Sequence, residues 1–456
     1  MNISENKMKK SNSTPFDLAK LVYKKLEGAK VSSPKPSQEV LNELFESLFY
    51  TSLKTEEGQF IKVTITVMDP DDPDPKPPQR IVADRWNYIF FKNRIPFSVK
   101  NLIKLSKAAD PWSSSLAVYY NSEDELYIWG MIDQAVHYQS FLNYETEEGP
   151  EQPGLFQTSI TGIGCLIVIF DYELMATLKQ NVLISNFKNV FKLGPVSHLL
   201  FENAKSIKLK IKSYILKEFP EEEVDEWLKY TQDILNETLS RILLRIQNYQ
   251  HGGALLITGN IKSDLDIKYK ITYTRLNESI LNLIKHTIAN TNYANIVYSD
   301  YLDRDEEMLP IDIYLEEAVS EADKGETRDE LTGAIRFVSS LSCVDGLVVL
   351  SKNFSVKGFG AVIKVKEIPD DIYISKTSII NDSKLSPIST NHFGTRHRSV
   401  FSYCWNNSSC LGFIISQDGD IRATLRINDK LILWENIKVQ QFIRSKKLKH
   451  LLTIRK

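Results

Sequence analysis

Three short stretches decide how this chain reads: Asp345-Gly-Leu-Val-Val-Leu350, Gly394-Thr-Arg-His-Arg-Ser399 and Leu411-Gly-Phe-Ile-Ile-Ser-Gln-Asp-Gly419. The first is a turn leading into an apolar strand, and the third is an apolar strand leading into a turn. Between them, Gly394 lets the backbone turn tightly or approach a ligand. Thr395 can cap the following helix or bind an anion. Arg396 and Arg398 bracket His397, and an arginine presents a planar fork of donors suited to phosphate oxygens. Val400 to Trp405 can form a helix whose N-terminus aims free backbone N–H groups at the same anion. Strands interleaved with helices predict an α/β fold, a mixed central sheet flanked by helices. The plain alternative for 394–399 is a solvated basic loop. Against it stands rarity: at average residue usage the string Gly-Thr-Arg-His-Arg should occur ~10⁻⁴ times in a chain of this length.

Gly394-Thr-Arg-His-Arg398 resembles the second signature of the diadenylate cyclase domain. The first signature of that family, Asp-Gly-Ala at the start of a strand, is similar to Asp345-Gly346-Leu347, in the same order along the chain. Beyond the second signature the family has an apolar strand, Ser-Glu-Glu and a glycine turn, which Ser416-Gln417-Asp418-Gly419 resembles. The likeness spans roughly residues 325–430. Further upstream, Asp84-Arg-Trp86, Ile95-Pro-Phe97, Ser114 to Tyr119, Ile128-Trp-Gly130 and His251-Gly-Gly253 resemble the DACNV-type presumed sensor region that precedes some divergent cyclase domains.

The resemblance implies synthesis of cyclic di-AMP from ATP. Each subunit binds one nucleotide, and two sites face each other in a homo-oligomer. Each 3′-hydroxyl attacks the other nucleotide's α-phosphate and pyrophosphate leaves, a reaction that needs alignment and charge neutralisation. It further implies that Asp345 and His397 are catalytic and that Gly346, Leu347, Gly394, Thr395, Arg396, Arg398 and Ser416 bind the nucleotide. Asp345, His397 and Asp418 would hold a divalent Mg²⁺ or Mn²⁺. The chain departs from the pattern at Leu347 (usually alanine), at Cys343-Val344 (usually Leu-His), at Gln417 (usually glutamate) and in an insertion around Glu367 to Thr390. Taken without the family, Asp345 is an ordinary turn aspartate and His392 a loop histidine.

Outward from these stretches the chain divides into three expected parts: a flexible start with a short helix (1–34), a DACNV-like region (35–325) and a nucleotide-binding domain (326–456). Helical spacing marks 15–29, 41–53, 101–109 and most of 197–250. Strands are expected at 60–68, 115–120, 125–131, 254–258, 347–350 and 360–365. Asp300 to Asp329 reads as acidic and partly loop-like and carries the expected boundary. Residues 113–131, 252–271 and 345–363 each read as strand, polar turn, strand: three ordinary hairpins, or a duplicated unit. Trp86 and Trp129 read as core aromatics, His251 as a helix end, and the basic tail Arg444 to Lys456 as a solvated helix.

The 456 residues hold 56 basic against 58 acidic side chains, a net charge of −2. That balance points to no nucleic-acid polymer as partner, while a small anion such as ATP needs only a local basic site. Cys165, Cys343, Cys404 and Cys410 form no CxxC pair, so a structural zinc site is not expected, and cysteine this sparse suits a reducing cytoplasm. No apolar run is long enough to span a bilayer. There is no GxxxxGK[ST] loop, and Gly162-Ile-Gly164 lacks the rest of a dinucleotide fingerprint. Three functional readings follow. One is a cyclase regulated by its N-terminal region, which senses a small-molecule or protein stimulus. Another is a catalytically inactive nucleotide receptor using the same pocket, and the third is an interaction protein with a relict signature.

Overall fold

The computed structural model describes residues 12–28, 35–72, 86–110, 113–133, 155–170, 173–249, 251–261, 263–302, 310–364, 367–416 and 420–439. Its contacts group into two units that divide between Asn186 and Phe187. Both are mixed α/β, as expected. Among the described residues no helix is long and apolar enough to cross a membrane, and all four cysteines are free.

The first unit opens with helix α1 (Pro15–Glu27). Thr14 caps it, its backbone N–H donating to Asp17 Oδ2 at 2.8 Å, which satisfies one otherwise unpaired donor at the helix start. Leu18, Ala19, Val22 and Leu26 form its buried stripe. Helix α2 (Gln38–Ser52) buries Leu41, Leu44, Phe45 and Leu48 in the same core. These side chains pack on one face of an eight-stranded sheet. The hairpin β1 (Thr55–Glu56) and β2 (Gln59–Phe60) stands apart from that sheet. The sheet itself comprises β3 (Val63–Val67), β4 (Asn87–Pro96), β5 (Ser114–Tyr120), β6 (Leu126–Asp133), β7 (Phe156–Gly162), β8 (Cys165–Phe170), β9 (Glu173–Lys179) and β10 (Val182–Ile184). Its order is β10-β9-β8-β7-β3-β5-β6-β4, and β3 with β5 is its one parallel pair. Helix α3 (Val99–Ser106) joins β4 to β5 and is capped by Ser98. Trp86 and Trp129 are buried, and Trp129 Nε1 donates to Met68 O at 2.9 Å. That bond satisfies the one polar group a buried indole brings inside. Asp84 and Arg85 lie outside the described residues.

The second unit begins with helices α4 (Pro195–Asn203), α5 (Lys205–Glu218) and α6 (Val224–Asn248). Then come β11 (Gly253–Thr258), β12 (Leu265–Tyr273), and the long pair α7 (Arg275–Leu302) and α8 (Ile311–Ser340). The rest is β13 (Leu347–Ser351), β14 (Val356–Ile363), β15 (Asp371–Ser375), β16 (Leu385–Ser389), α9 (Thr395–Asn406), β17 (Leu411–Ile415), β18 (Ile421–Ile427) and β19 (Lys430–Trp434). The nine strands form one sheet in the order β12-β14-β13-β11-β17-β18-β19-β15-β16.

Two sequence expectations change here. The boundary at 325/326 falls inside α8, which is continuous from 311 to 340. It would also split the sheet, because β11 lies hydrogen-bonded between β13 and β17. Of the three expected hairpins, β5–β6 and β13–β14 are adjacent antiparallel pairs. The middle one is not a hairpin: β11 and β12 are separated by β13 and β14. All six residues of β11 are buried, the mark of a central strand covered on both faces. The insertion expected around 367–390 forms β15 and β16, which extend the sheet past β19 at its far edge.

Candidate functional site

One hydrogen-bonded row crosses the second sheet: Val348, Leu255, Phe413, Ala423 and Trp434 are successive partners on β13, β11, β17, β18 and β19. Asp345 precedes Val348 by three residues, Ser416 follows Phe413 by three, and Asp420 precedes Ala423 by three. All three therefore lie at one end of the sheet. Alternation then assigns faces. Leu347, Val349, Ala254, Leu256, Ile414 and Leu433 share a buried cluster with Val400, Phe401, Tyr403 and Cys404 of α9. Phe413 points the other way and stacks on Phe191, ring centroids 5.8 Å apart. Arg422, the partner of Ile414, shares the face that carries α9.

Helix α9 sits so close to β17 that a Cβ on Gly412 would come within 2.4 Å of Val400 Cγ1. That close approach fixes the start of α9 over the end of the sheet. Gly394 is its N-cap, with no side chain capping the first turn. Nothing lies within 4 Å of where a Gly394 Cβ would stand, so the N-cap itself is open. Thr395 and Arg398 are exposed and Arg396 is half-buried. Among the described residues neither arginine has an ion-pair or side-chain hydrogen-bond partner. The first turn of α9 therefore offers an anion backbone donors together with nearby guanidinium groups.

His397 is held differently. Its ring packs beside Phe393 and Phe401, centroids 5.5 and 6.0 Å away, and those two rings meet each other at 5.2 Å. Its Nε2 is 2.8 Å from Arg422 Nη1. A guanidinium has only donors, so Nε2 accepts and the ring proton sits on Nδ1. The same guanidinium donates through Nη2 to Asp420 Oδ2 and through Nε to Glu435 Oε1, each at 3.2 Å. Burial, then the neighbouring Arg422 and Arg396, push the His397 pKa down to about 4. The imidazole is neutral at pH 7.

The other expected site residues fall as follows. Asp345 is exposed at the entry to β13. Gly346 has φ +122°, and a Cβ there would come within 2.5 Å of the Gly360 backbone. Leu347 is 4% exposed and belongs to the core cluster. The Ser416 hydroxyl accepts from Asp420 N at 3.0 Å and its N–H donates to Asp420 O at 2.9 Å, closing the β17–β18 turn. Asp418 lies outside the described residues.

The expected Mg²⁺ or Mn²⁺ does not fit His397: a guanidinium already occupies the Nε2 lone pair, and a cation placed there would have to displace it. Asp345 is three strand spacings from Arg422, about 14 Å across the sheet before their offset along the strands is added. Among the described residues no three His, Cys, Asp or Glu side chains gather as a metal site.

The sequence reading missed Arg422, Asp420 and Glu435. A signal was present, since Arg422 interrupts the apolar run Ile421 to Leu425 at an α9-facing position. Its partners, however, lie on α9, on a turn and just past the end of the next strand, and only the fold joins them.

Among curated proteins no relative matches the chain. Residues 30–133 match the family described as the probable sensor domain DACNV. The match covers α2, α3 and β1 to β6 and stops short of β7, although β7 pairs directly with β3; it is also narrower than the expected region 35–325. The N-terminal part of this chain thus carries a probable sensor domain of the DACNV type.

Proposed function

We propose that the second unit binds ATP at the N-terminus of α9 and converts it to cyclic di-AMP or a related cyclic dinucleotide, under control of the DACNV-type region. A sensor domain of this type is often found with diadenylate cyclases. The observation that carries the reading is the uncapped first turn of α9, with Arg396 and Arg398 unpaired among the described residues and Asp345 exposed at the same end of the sheet. Arg396, Arg398 and the backbone N–H groups hold phosphate oxygens and offset the charge that grows as pyrophosphate leaves. Asp345 takes the proton of an attacking 3′-hydroxyl. Its exposure suits a nucleotide carried by a second copy of the chain, since one site holds only half the reaction.

A second reading is a nucleotide receptor without catalysis. Specific observations favour it: Leu347 is buried in the core, the Ser416 hydroxyl is committed to a turn, and His397 is committed to Arg422.

The experiment is product analysis by mass spectrometry after incubating the chain with all four nucleoside triphosphates and Mn²⁺, beside Asp345→Asn. A cyclic dinucleotide that vanishes in the variant supports the cyclase. No product under any dimerising condition sinks it, and ATP-dependent thermal stabilisation in that case supports the receptor.

A further inference from the structure

Every corner of the Arg422 guanidinium is occupied: His397 on Nη1, Asp420 on Nη2, Glu435 on Nε. The side chain is 17% exposed, and its two carboxylate partners are 24% and 29% exposed. Three of its five N–H donors are engaged, one on each nitrogen, which fixes the guanidinium in place. Its two carboxylate partners offset its charge in part, though its field is still felt at His397. What it does control is the histidine. Because a guanidinium cannot accept, His397 must offer it a lone pair, and the ring's one proton is forced to the opposite nitrogen. Among the described residues His397 makes no other hydrogen bond, so Nδ1–H remains its one polar group for a ligand. Phe393 and Phe401 pack beside the ring. The network thus holds the side chain most often used as a metal ligand as a fixed neutral donor.

We propose that Arg422 is a positioning residue that locks His397 in the Nδ1–H form, so that His397 meets a bound nucleotide phosphate as a hydrogen-bond donor and not as a metal ligand. This rests on the reading of α9 as a phosphate cradle.

The test separates the two. Long-range ¹H–¹⁵N spectra of the full chain at pH 7, assigned with His397→Gln, report which ring nitrogen carries the proton and need no nucleotide. The expected result is Nδ1–H, unshifted by Mg²⁺, turning to the commoner Nε2–H in Arg422→Met. Arg422→Lys, which keeps the charge between Asp420 and Glu435 but loses the fork, guards against a variant that fails to fold. In parallel, ATP affinity is measured in EDTA. Arg422→Met is expected to weaken it about tenfold, as for loss of one oriented hydrogen bond to a charged group. An Nε2–H ring in the unaltered chain, a Mg²⁺-dependent shift of Nε2, or unchanged ATP affinity in Arg422→Met overturns the proposal. If the unaltered chain binds no ATP, the cradle reading fails and the role of His397 with it, while the spectra still decide whether Arg422 sets the ring.

Discussion

Three glycines near the site differ in what they tolerate, and substitution by alanine separates their roles. Gly346 has a left-handed φ of +122° and its absent side chain leaves room for the Gly360 backbone. Gly346→Ala should cost at least about 2 kcal/mol, from backbone strain and a clash that backbone atoms cannot relieve. Gly412→Ala drives a methyl toward Val400 and Cys404 and should cost about 1–3 kcal/mol by overpacking. Gly394 has φ −70° with open space beside it, so Gly394→Ala should cost under about 1 kcal/mol, the loss of a modest N-cap preference. Denaturant melts of the three variants check the ranking. A Gly394 variant as unstable as Gly346→Ala would mean that α9 does not begin where described. The sequence reading gave Gly346 only as a nucleotide-binding residue and placed the need for a free backbone at Gly394, whereas the left-handed φ falls at Gly346. The role of Gly412 was not legible, because it depends on a helix that arrives from elsewhere in the chain.

Among the elements, the first half of α8 was misread from the sequence and α7 was not read at all. Residues 311–329 read as acidic and loop-like because they are dense in Asp and Glu; the Ile311, Leu315 and Val319 stripe stays exposed, and burial concentrates after Ser320 at Leu331, Ala334, Ile335 and Val338. The first half lies against α7 with few large apolar anchors. Gly325 and Gly333 weakened the signal further. Both stand in open space on the helix. Gly325→Ala and Gly333→Ala should therefore each stabilise the second unit by about 0.5–1 kcal/mol, through helix propensity alone. A rise in melting temperature is the readout, and no gain from Gly325→Ala would indicate that α8 is broken there. Elements with strong local signals were legible from the residues: α1 and α2 from their stripes, the start of α3 from Ser98, the β5–β6 turn from Asn-Ser-Glu-Asp. The phosphate cradle was legible as a string, whereas the His397–Arg422–Glu435 network was not, since it joins α9 to β18 and to the residue just past β19 through the fold alone.

For the whole molecule the decisive fact is where the second unit begins. A chain cut at 326 lacks β11 and β12, and the sheet loses the strand that bridges β13 to β17. Residues 326–456 expressed alone should be insoluble or molten, whereas a fragment from 187 onward should give a cooperative melt. Well-dispersed amide spectra from the shorter piece would contradict the sheet order. Strand β11 has a further consequence in the living cell. It is apolar, fully buried in the finished fold, and made about 150 residues before its second partner β17. At translation rates of about 5–20 residues per second, that leaves it without both neighbours for roughly 8–30 seconds. A ribosome carrying this nascent chain presents a sticky segment throughout that interval. Yield in a host should therefore depend on elongation speed between codons 259 and 411 and on the supply of holdase chaperones.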